Sequence, residues 1–243
     1  MKEDFVFPDI DEVGIETLEA VSIAVNFNEW MYKTINAHCN GKILEIGSGI
    51  GNISKHFIEN GQDITLTDIR ENYVTSLKEQ FPSHENKTIL MDLVDLDFDT
   101  KYRQFLGTYD TVFALNVVEH IKDDQLAIIN AKKLLKPNGK LIILVPAFQF
   151  LYNSFDTALE HFRRYTKKSL NKLISSELEL SHSQYFNAFG MLGWFVSGRV
   201  LKKKTIPIKQ MKIYDKLLFV AKTIDICLLN QIGLSVISIG TKK

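Results

Sequence analysis

The chain has 243 residues, 45% hydrophobic and 24% charged, enough to bury one large core in a single domain. Its 29 basic and 29 acidic side chains cancel, so no overall field draws it to nucleic acid and no nucleic-acid partner is expected. The two cysteines, Cys39 and Cys227, fit no metal-ligand spacing and suit a reducing compartment, so no metal is expected.

The opening stretch, MKEDFVFPDIDE, is acidic and lacks the basic and apolar regions of a secretory leader. No run of about 18 apolar residues is present to span a bilayer, so a cytoplasmic protein is expected. Residues 1–15 read as an irregular arm. From Glu16 to about Ala37, the apolar positions Leu18, Val21, Val25, Trp30, Met31 and Ile35 predict one or two helices.

Lys42–Ile46 is a short apolar run carrying one acid, Glu45, as in a buried parallel strand. Gly47, Gly49 and Gly51 then alternate with small or apolar residues, and Asn52 opens a helical pattern through Ile53, Phe57 and Ile58. Strand, glycine turn and helix form a nucleotide-binding unit, in which backbone can approach a ligand and the helix offers free N–H groups. A dinucleotide fingerprint, G-x-G-x-x-G, would place its third glycine one position later than Gly51. Glu45 would also repel a pyrophosphate, whereas it suits a ligand with an ammonium group.

Asp63–Asp68 predicts the second strand. Asp68 lies 21 positions after Gly47, close to the spacing of about 20 at which an acid takes a ribose diol, a loop cap being the plainer alternative. A helix through Tyr73, Leu77 and Phe81 ends at Pro82, and Lys87–Asp92 is a third strand. Asp95, Asp97 and Asp99 lack the glycine and closing glutamate of a calcium loop and read as solvated turn residues. Tyr109–Leu115 is the fourth strand, with Asn116-Val-Val-Glu-His-Ile121 after it. Asp123–Leu135 is an amphipathic helix, Leu135–Lys140 a turn and Leu141–Val145 a fifth, central strand.

The loop from Asp156 to Tyr165 places a carboxylate, an imidazole, two guanidinium groups and a phenol beside the end of strand five, and a helix begins near Thr166. Ser183–Phe186 and Leu234–Gly240 predict strands six and seven. The residues between them, about 187–231, are apolar and aromatic before Lys202-Lys203-Lys204, with a second apolar stretch at Leu217–Leu229. They read as a helical insertion that forms a lid, a homodimer face or a peripheral membrane contact.

Three motifs, E-I-G-S-G-I-G from Glu45, Y-D-x5-N-V-x-E-H-I from Tyr109 and L-x-P-x-G from Leu135, together resemble the class I S-adenosylmethionine-dependent methyltransferases that act on small molecules. The resemblance covers residues 42–146. It implies an α/β fold with a Rossmann-like seven-stranded sheet, parallel except for its last strand, helices on both faces, and S-adenosylmethionine as cofactor. Carried over position by position, it implies cofactor contacts at Glu45, Gly47, Gly49, Gly51, Asp68, Ile69, Asp92, Leu93, Asn116 and Val117. It also implies an N-terminal helical lid at about 1–40 folded over the cofactor, with Phe27, Asn28, Trp30 and Tyr32 as lid residues and Trp30 and Tyr32 among those that bind substrate.

The D-x4-H-x-R-R-Y segment resembles, less specifically, one in a subset of bacterial methyltransferases, a salt-bridged connector being the alternative. The expected reaction is methyl transfer to a small apolar or amphipathic acceptor, with O-methylation favoured. An oxygen nucleophile must lose its proton, and imidazole is the side chain whose ordinary pKa suits that task. His161, oriented by Asp156 or Glu160, is the first candidate, and His120 is the second, either catalytic or a helix cap. Arg163, Arg164 and Tyr165 would hold substrate or brace the loop, and Trp194 would line the acceptor pocket. The competing readings are a non-catalytic sensor or scaffold of the same fold, and an NAD-dependent oxidoreductase disfavoured by the glycine spacing.

Overall fold

The computed structural model describes residues 12–243, so most of the irregular arm expected at 1–15 lies outside the described residues. Helix α1 (Glu12–Ser22) begins ahead of the Glu16 start read from apolar spacing, and α2 (Val25–Asn36) follows a short break. The chain continues through β1 (Ile43–Ile46), α3 (Ser54–Glu59), β2 (Ile64–Asp68), α4 (Glu71–Gln80), β3 (Thr88–Leu90), α5 (Phe98–Lys101), β4 (Tyr109–Leu115) and α6 (Asp124–Leu134). It ends through β5 (Leu135–Pro146), α7 (Ser154–Ala158), α8 (Lys167–Ser175), β6 (Glu179–Phe186), α9 (Gly190–Trp194), α10 (Ile208–Lys216), α11 (Leu218–Cys227) and β7 (Ser235–Thr241).

The seven strands form one sheet in the order β3-β2-β1-β4-β5-β7-β6, and β7 runs antiparallel to both its neighbours. Helices cover both faces, so the central strands are apolar almost without alternation. Along β4, Val112 and Ala114 join a cluster with Ile128 and Leu134 of α6 and Leu170 of α8. Phe113 points the other way, to Ile35 of α2 and Phe57 of α3. The order reverses between β1 and β4, and a crevice beyond the carboxyl ends of those strands is where ligands collect in such sheets.

Two strand boundaries differ most from the sequence reading. The expected turn Leu135–Lys140 is extended and part of β5: Leu135 pairs with Tyr109, the register shifts, and Lys140 pairs with Thr111. Asn138, at φ 64°, donates its N–H to the Lys242 carbonyl at 2.7 Å, while the Lys242 N–H reaches the Gly139 carbonyl at 2.9 Å. The chain's last residues thus draw the turn into the sheet as a bulge, a long-range pairing that no local pattern announces. Strand β6 begins at Glu179 rather than Ser183 because Glu179 and Leu180 pair with Thr241 and Gly240 at an exposed edge, where apolar alternation is not required.

The insertion at 187–231 comprises α9, a π-helical turn at Phe195–Val200, α10 and α11. Ala24, at the N-cap of α2, has no side-chain oxygen to satisfy the helix's first amides. Asp215 of α10 does so from a distance, taking the Phe27 N–H and the Asn26 side-chain amide at 2.9 Å each. Asp225 of α11, almost fully buried, takes the amides of Asn187 and Ala188 at 2.6 and 2.7 Å. Asp215 thereby ties the insertion to α2, and Asp225 ties its later part back to its first residues. Among the described residues, no helix is long and apolar enough to cross a membrane.

Candidate active site

The turn after β1 carries Gly47, Gly49 and Gly51 at φ +69°, +54° and +80°, a region that side chains with a Cβ rarely adopt. A Cβ on Gly47 would stand 2.4 Å from Val117 Cγ2, so the loop lies directly against the turn that ends β4. The Gly49 N–H donates to Asp68 Oδ2 at 2.9 Å, and Asp68 Oδ1 accepts from the Arg70 N–H at 3.0 Å. Leu18 of α1 sits on the loop, 3.0 Å from where a Gly49 Cβ would be, and its carbonyl takes the Asn52 side chain at 2.9 Å. Thus α1 covers the glycine turn.

Glu45 is buried and accepts the Ser54 hydroxyl; burial, reinforced by nearby Asp68, pushes its carboxyl up to about 7. Burial also raises Asp68 above the usual carboxylate range. Two acids that are costly to ionise, on adjacent strand ends beside a glycine turn, fit a ligand with an ammonium at one end and a diol at the other. Asn116, exposed at φ 54°, turns the chain out of β4, and its N–H is held by the Leu144 carbonyl at 2.8 Å. Asp92 is half-buried and caps its own turn, with Oδ1 accepting from the Val94 N–H at 2.9 Å. Leu93 is buried in the core, and Ile69 is half-buried just after Asp68. The residues present fit S-adenosylmethionine, and Glu45 and Asp68 are the acids that would hold it.

A second cluster lies just beyond Asn116 and Val117. The tight turn Val118–His120 presents Glu119 and His120, and the loop after α7 brings His161; the Phe162 N–H donates to the Glu119 carbonyl at 2.9 Å and joins the two segments. Asp156, fully buried, accepts His161 Nδ1–H at 2.8 Å and Arg164 Nε–H at 2.7 Å, while its other oxygen takes the Asn153 N–H at 3.0 Å. Burial opposes ionisation of Asp156, but the His161 hydrogen bond and the Arg164 charge hold its carboxyl below the ordinary range.

The His120 ring meets the His161 ring edge-on, 4.6 Å between centroids. Burial, then the neighbouring His161, pushes the His120 imidazole down to about 3 and keeps it neutral. Glu119 is 0% exposed, neither of its carboxylate oxygens has a hydrogen-bond partner, and burial pushes its carboxyl up to about 8. Arg164 gives Nη1 to the Ala147 carbonyl at 3.0 Å and lies 4.8 Å from the Trp194 ring, which also packs on Phe155.

The structure brings Asp156, His161, His120, Arg164 and Trp194 together. It does not bring Glu160, which is exposed at φ 59°, to His161; Asp156 alone orients that ring. Tyr165 is buried with its hydroxyl on Asp124 at 2.8 Å, and Arg163 binds the same carboxylate at 2.7 Å, so both brace the loop against α6. Tyr32 gives its hydroxyl to Gln62 at 3.0 Å and stacks on His56, on the α3 side of the sheet. Trp30 lies 4.2 Å from Phe186, where α2 meets the end of β6. Glu119 and Leu18 were not expected at the site. An acid next to a candidate histidine was the available signal for Glu119; Leu18 carried only helical periodicity.

A family model described as a methyltransferase domain matches residues 44–141. A highly reducing polyketide synthase of Pyrenophora dematioidea is 27% identical over 136 residues, 51% of this chain and 5% of that protein. Fusarin C synthetase of Gibberella fujikuroi is 34% identical over 107 residues, 42% of this chain and 3% of that protein. The chain therefore matches only 5% and 3% of the length of these relatives. Among solved structures, phosphoethanolamine N-methyltransferase 2 of Haemonchus contortus, in complex with S-adenosyl-L-methionine, superposes with a TM-score of 0.63 at 15% identity, covering 99% of this chain and 61% of the other. A TehB-like methyltransferase of Corynebacterium glutamicum gives 0.53 at 18% identity, covering 87% and 86%. At such identities the superpositions show the shared fold; the glycine turn and the turn after β4 meet at the crevice, while the L-x-P-x-G motif lies at the other, amino end of β5. Over residues 44–141 this chain matches a methyltransferase domain, and its fold is that of the S-adenosylmethionine-dependent methyltransferases.

Proposed function

We propose that the chain methylates a hydroxyl oxygen of a small, amphipathic acceptor. The observation that carries this reading is His161, with Nδ1 fixed by Asp156 and Nε2 left for a proton, in a cluster beside the glycine turn. S-adenosylmethionine, when bound, supplies a methyl group already activated on its sulfonium. The chain's own work is to align the acceptor, worth on the order of 7–11 kcal/mol when the geometry is near attack, and to handle the hydroxyl proton. Asp156 fixes the tautomer and direction of His161, Arg164 braces Asp156, and Trp194 and Phe155 close the apolar side of the pocket. The likeness to segments of polyketide synthases supports a small-molecule acceptor.

The outer face of the insertion supports an amphipathic one. Phe219, Ile226 and Leu229 are 69%, 70% and 75% exposed. Residues 187–231 hold eight basic side chains and two acidic ones, and both acids, Asp215 and Asp225, are spent on backbone amides within the fold. An apolar face rimmed only by cations suits an anionic lipid surface. In this reading α9 forms the lid, while α10 and α11 meet the membrane from which the acceptor is drawn.

The test is methyl transfer from labelled cofactor into a membrane extract, with the product's linkage read by mass spectrometry. An O-methyl product is expected, and His161→Ala should lower turnover by roughly 10²–10⁴ with cofactor affinity kept. An N- or C-methyl product, or full turnover in that variant, would overturn the assignment.

A further inference from the structure

Glu119, His120 and His161 each offer a ligand atom, and these atoms lie within 4.8 Å of one another. We propose that the three side chains hold a divalent transition-metal cation, in a site open to an oxygen donor from outside the protein.

Several independent features converge on that spot. Glu119 is the least expected of them: a carboxylate with 0% exposure and no hydrogen-bond partner on either oxygen. Buried acids are ordinarily paired or bound to a metal, because an unpaired one forfeits its hydration without return. Arg164, the nearby cation, is already shared with Asp156 and the Ala147 carbonyl. With Arg164 committed to Asp156, an ionised Glu119 has no cation of its own.

His161 is prepared as a ligand: Asp156 holds it by Nδ1, leaving Nε2 as a lone-pair donor, and a ring nitrogen of His120 lies within the same reach. A metal-binding imidazole is oriented in this way, its second nitrogen tied to a carboxylate or a backbone carbonyl. The two rings meet edge-on at 4.6 Å between centroids, and a nitrogen of each lies within 4.8 Å of the other and of a Glu119 oxygen. Two imidazoles and a carboxylate favour zinc, manganese, iron or cobalt over calcium and magnesium, which prefer oxygen ligands. Bonds to such a cation are about 2.0–2.2 Å, so the ligand atoms need to close in by less than about 1 Å each. Three protein ligands leave coordination positions free.

The site does not depend on the O-methylation reading, because binding is measured without cofactor or acceptor. It does change His161: a nitrogen given to a cation cannot also take a proton. The probe is Co²⁺, whose visible spectrum reports its ligands, added to untagged protein stripped with a chelator. One Co²⁺ per chain is expected, with a nitrogen- and oxygen-ligated spectrum and displacement by Zn²⁺. Glu119→Gln, nearly the same shape, should keep the melting temperature of the metal-free protein and lose the spectrum. Asp156→Asn should weaken binding by roughly 10–100-fold, the usual effect of a residue that orients a ligand.

The surface pair His38 and His182, stacked at 5.0 Å, is the control for adventitious binding, and His182→Ala should change nothing. Failure of the wild-type protein to bind Co²⁺, or a spectrum unchanged in Glu119→Gln, overturns the site. Full methyl transfer by the stripped protein would do so for any role in turnover and would leave His161 as the base. An O-methyl product that requires added cation, with the His161 variant inactive, supports the cation site and the O-methylation, with His161 as a ligand in place of the base.

Discussion

Burial makes Glu45 hard to ionise, and its carboxyl in the free protein is pushed up to about 7. An ammonium beside it would favour the charged form, so cofactor binding below that pH has to release a proton. The sign follows from linkage: affinity rises with pH up to about 7, by at most about tenfold per unit, and levels off above it. Calorimetry from pH 5.5 to 8 in two buffers of different ionisation enthalpy checks this, and Glu45→Gln should flatten the slope. The same reasoning explains what was legible at this scale. The spacing of Glu45, the glycines and Asp68 is written along the chain, whereas the pairing of His161 with Asp156 rather than Glu160 depends on Glu160 adopting φ 59° and pointing away. Glu119 stood in plain view beside His120, but only the fold shows that both its oxygens are buried without a partner.

Elements whose own apolar pattern is clear were read nearly to the residue, as with β4 at Tyr109–Leu115 and α6 at Asp124–Leu134. Those completed by distant chain were not: β5 gains its first residues from the pairing of Asn138 and Gly139 with Lys242, and β6 gains its exposed start from β7. The cap on α2 is of the same kind, since Asp215 reaches the Phe27 amide across 188 residues. Asp215→Ala should lower stability by about 0.5–2 kcal/mol, as for loss of an N-cap. Urea unfolding measures this. An unchanged midpoint would mean that water replaces the carboxylate at no cost.

A chain of zero net charge that gathers eight cations and two inwardly committed acids in residues 187–231 is electrically two-sided. Sedimentation with vesicles of anionic phospholipid should pull the protein down at low salt and release it as salt rises. Vesicles of neutral phospholipid should not retain it. Changing Lys202, Lys203 and Lys204 together to Glu should release it, since each basic group near such a surface is worth about 1 kcal/mol. Retention by neither vesicle, together with a concentration-dependent dimer in ultracentrifugation, would reassign the exposed face of α10 and α11 to a second copy of the chain.

Beneath these proposals lies a single claim, that S-adenosylmethionine sits in the crevice formed by Glu45, the glycine turn and Asp68. Gly49→Val tests it poorly, because φ +54° and Leu18 at 3.0 Å would strain the fold whether or not a ligand is present. Asp68→Asn keeps the side chain's shape and an oxygen for one of the two backbone amides it now holds, while removing the charge. Calorimetric titration with S-adenosylhomocysteine and, separately, with NAD measures the claim directly. The wild-type protein should bind S-adenosylhomocysteine and not NAD, and Asp68→Asn should lose about 1.5–3 kcal/mol, the range for a hydrogen bond to a charged group. Binding of NAD, or S-adenosylhomocysteine affinity indifferent to Asp68→Asn in a folded variant, would contradict it.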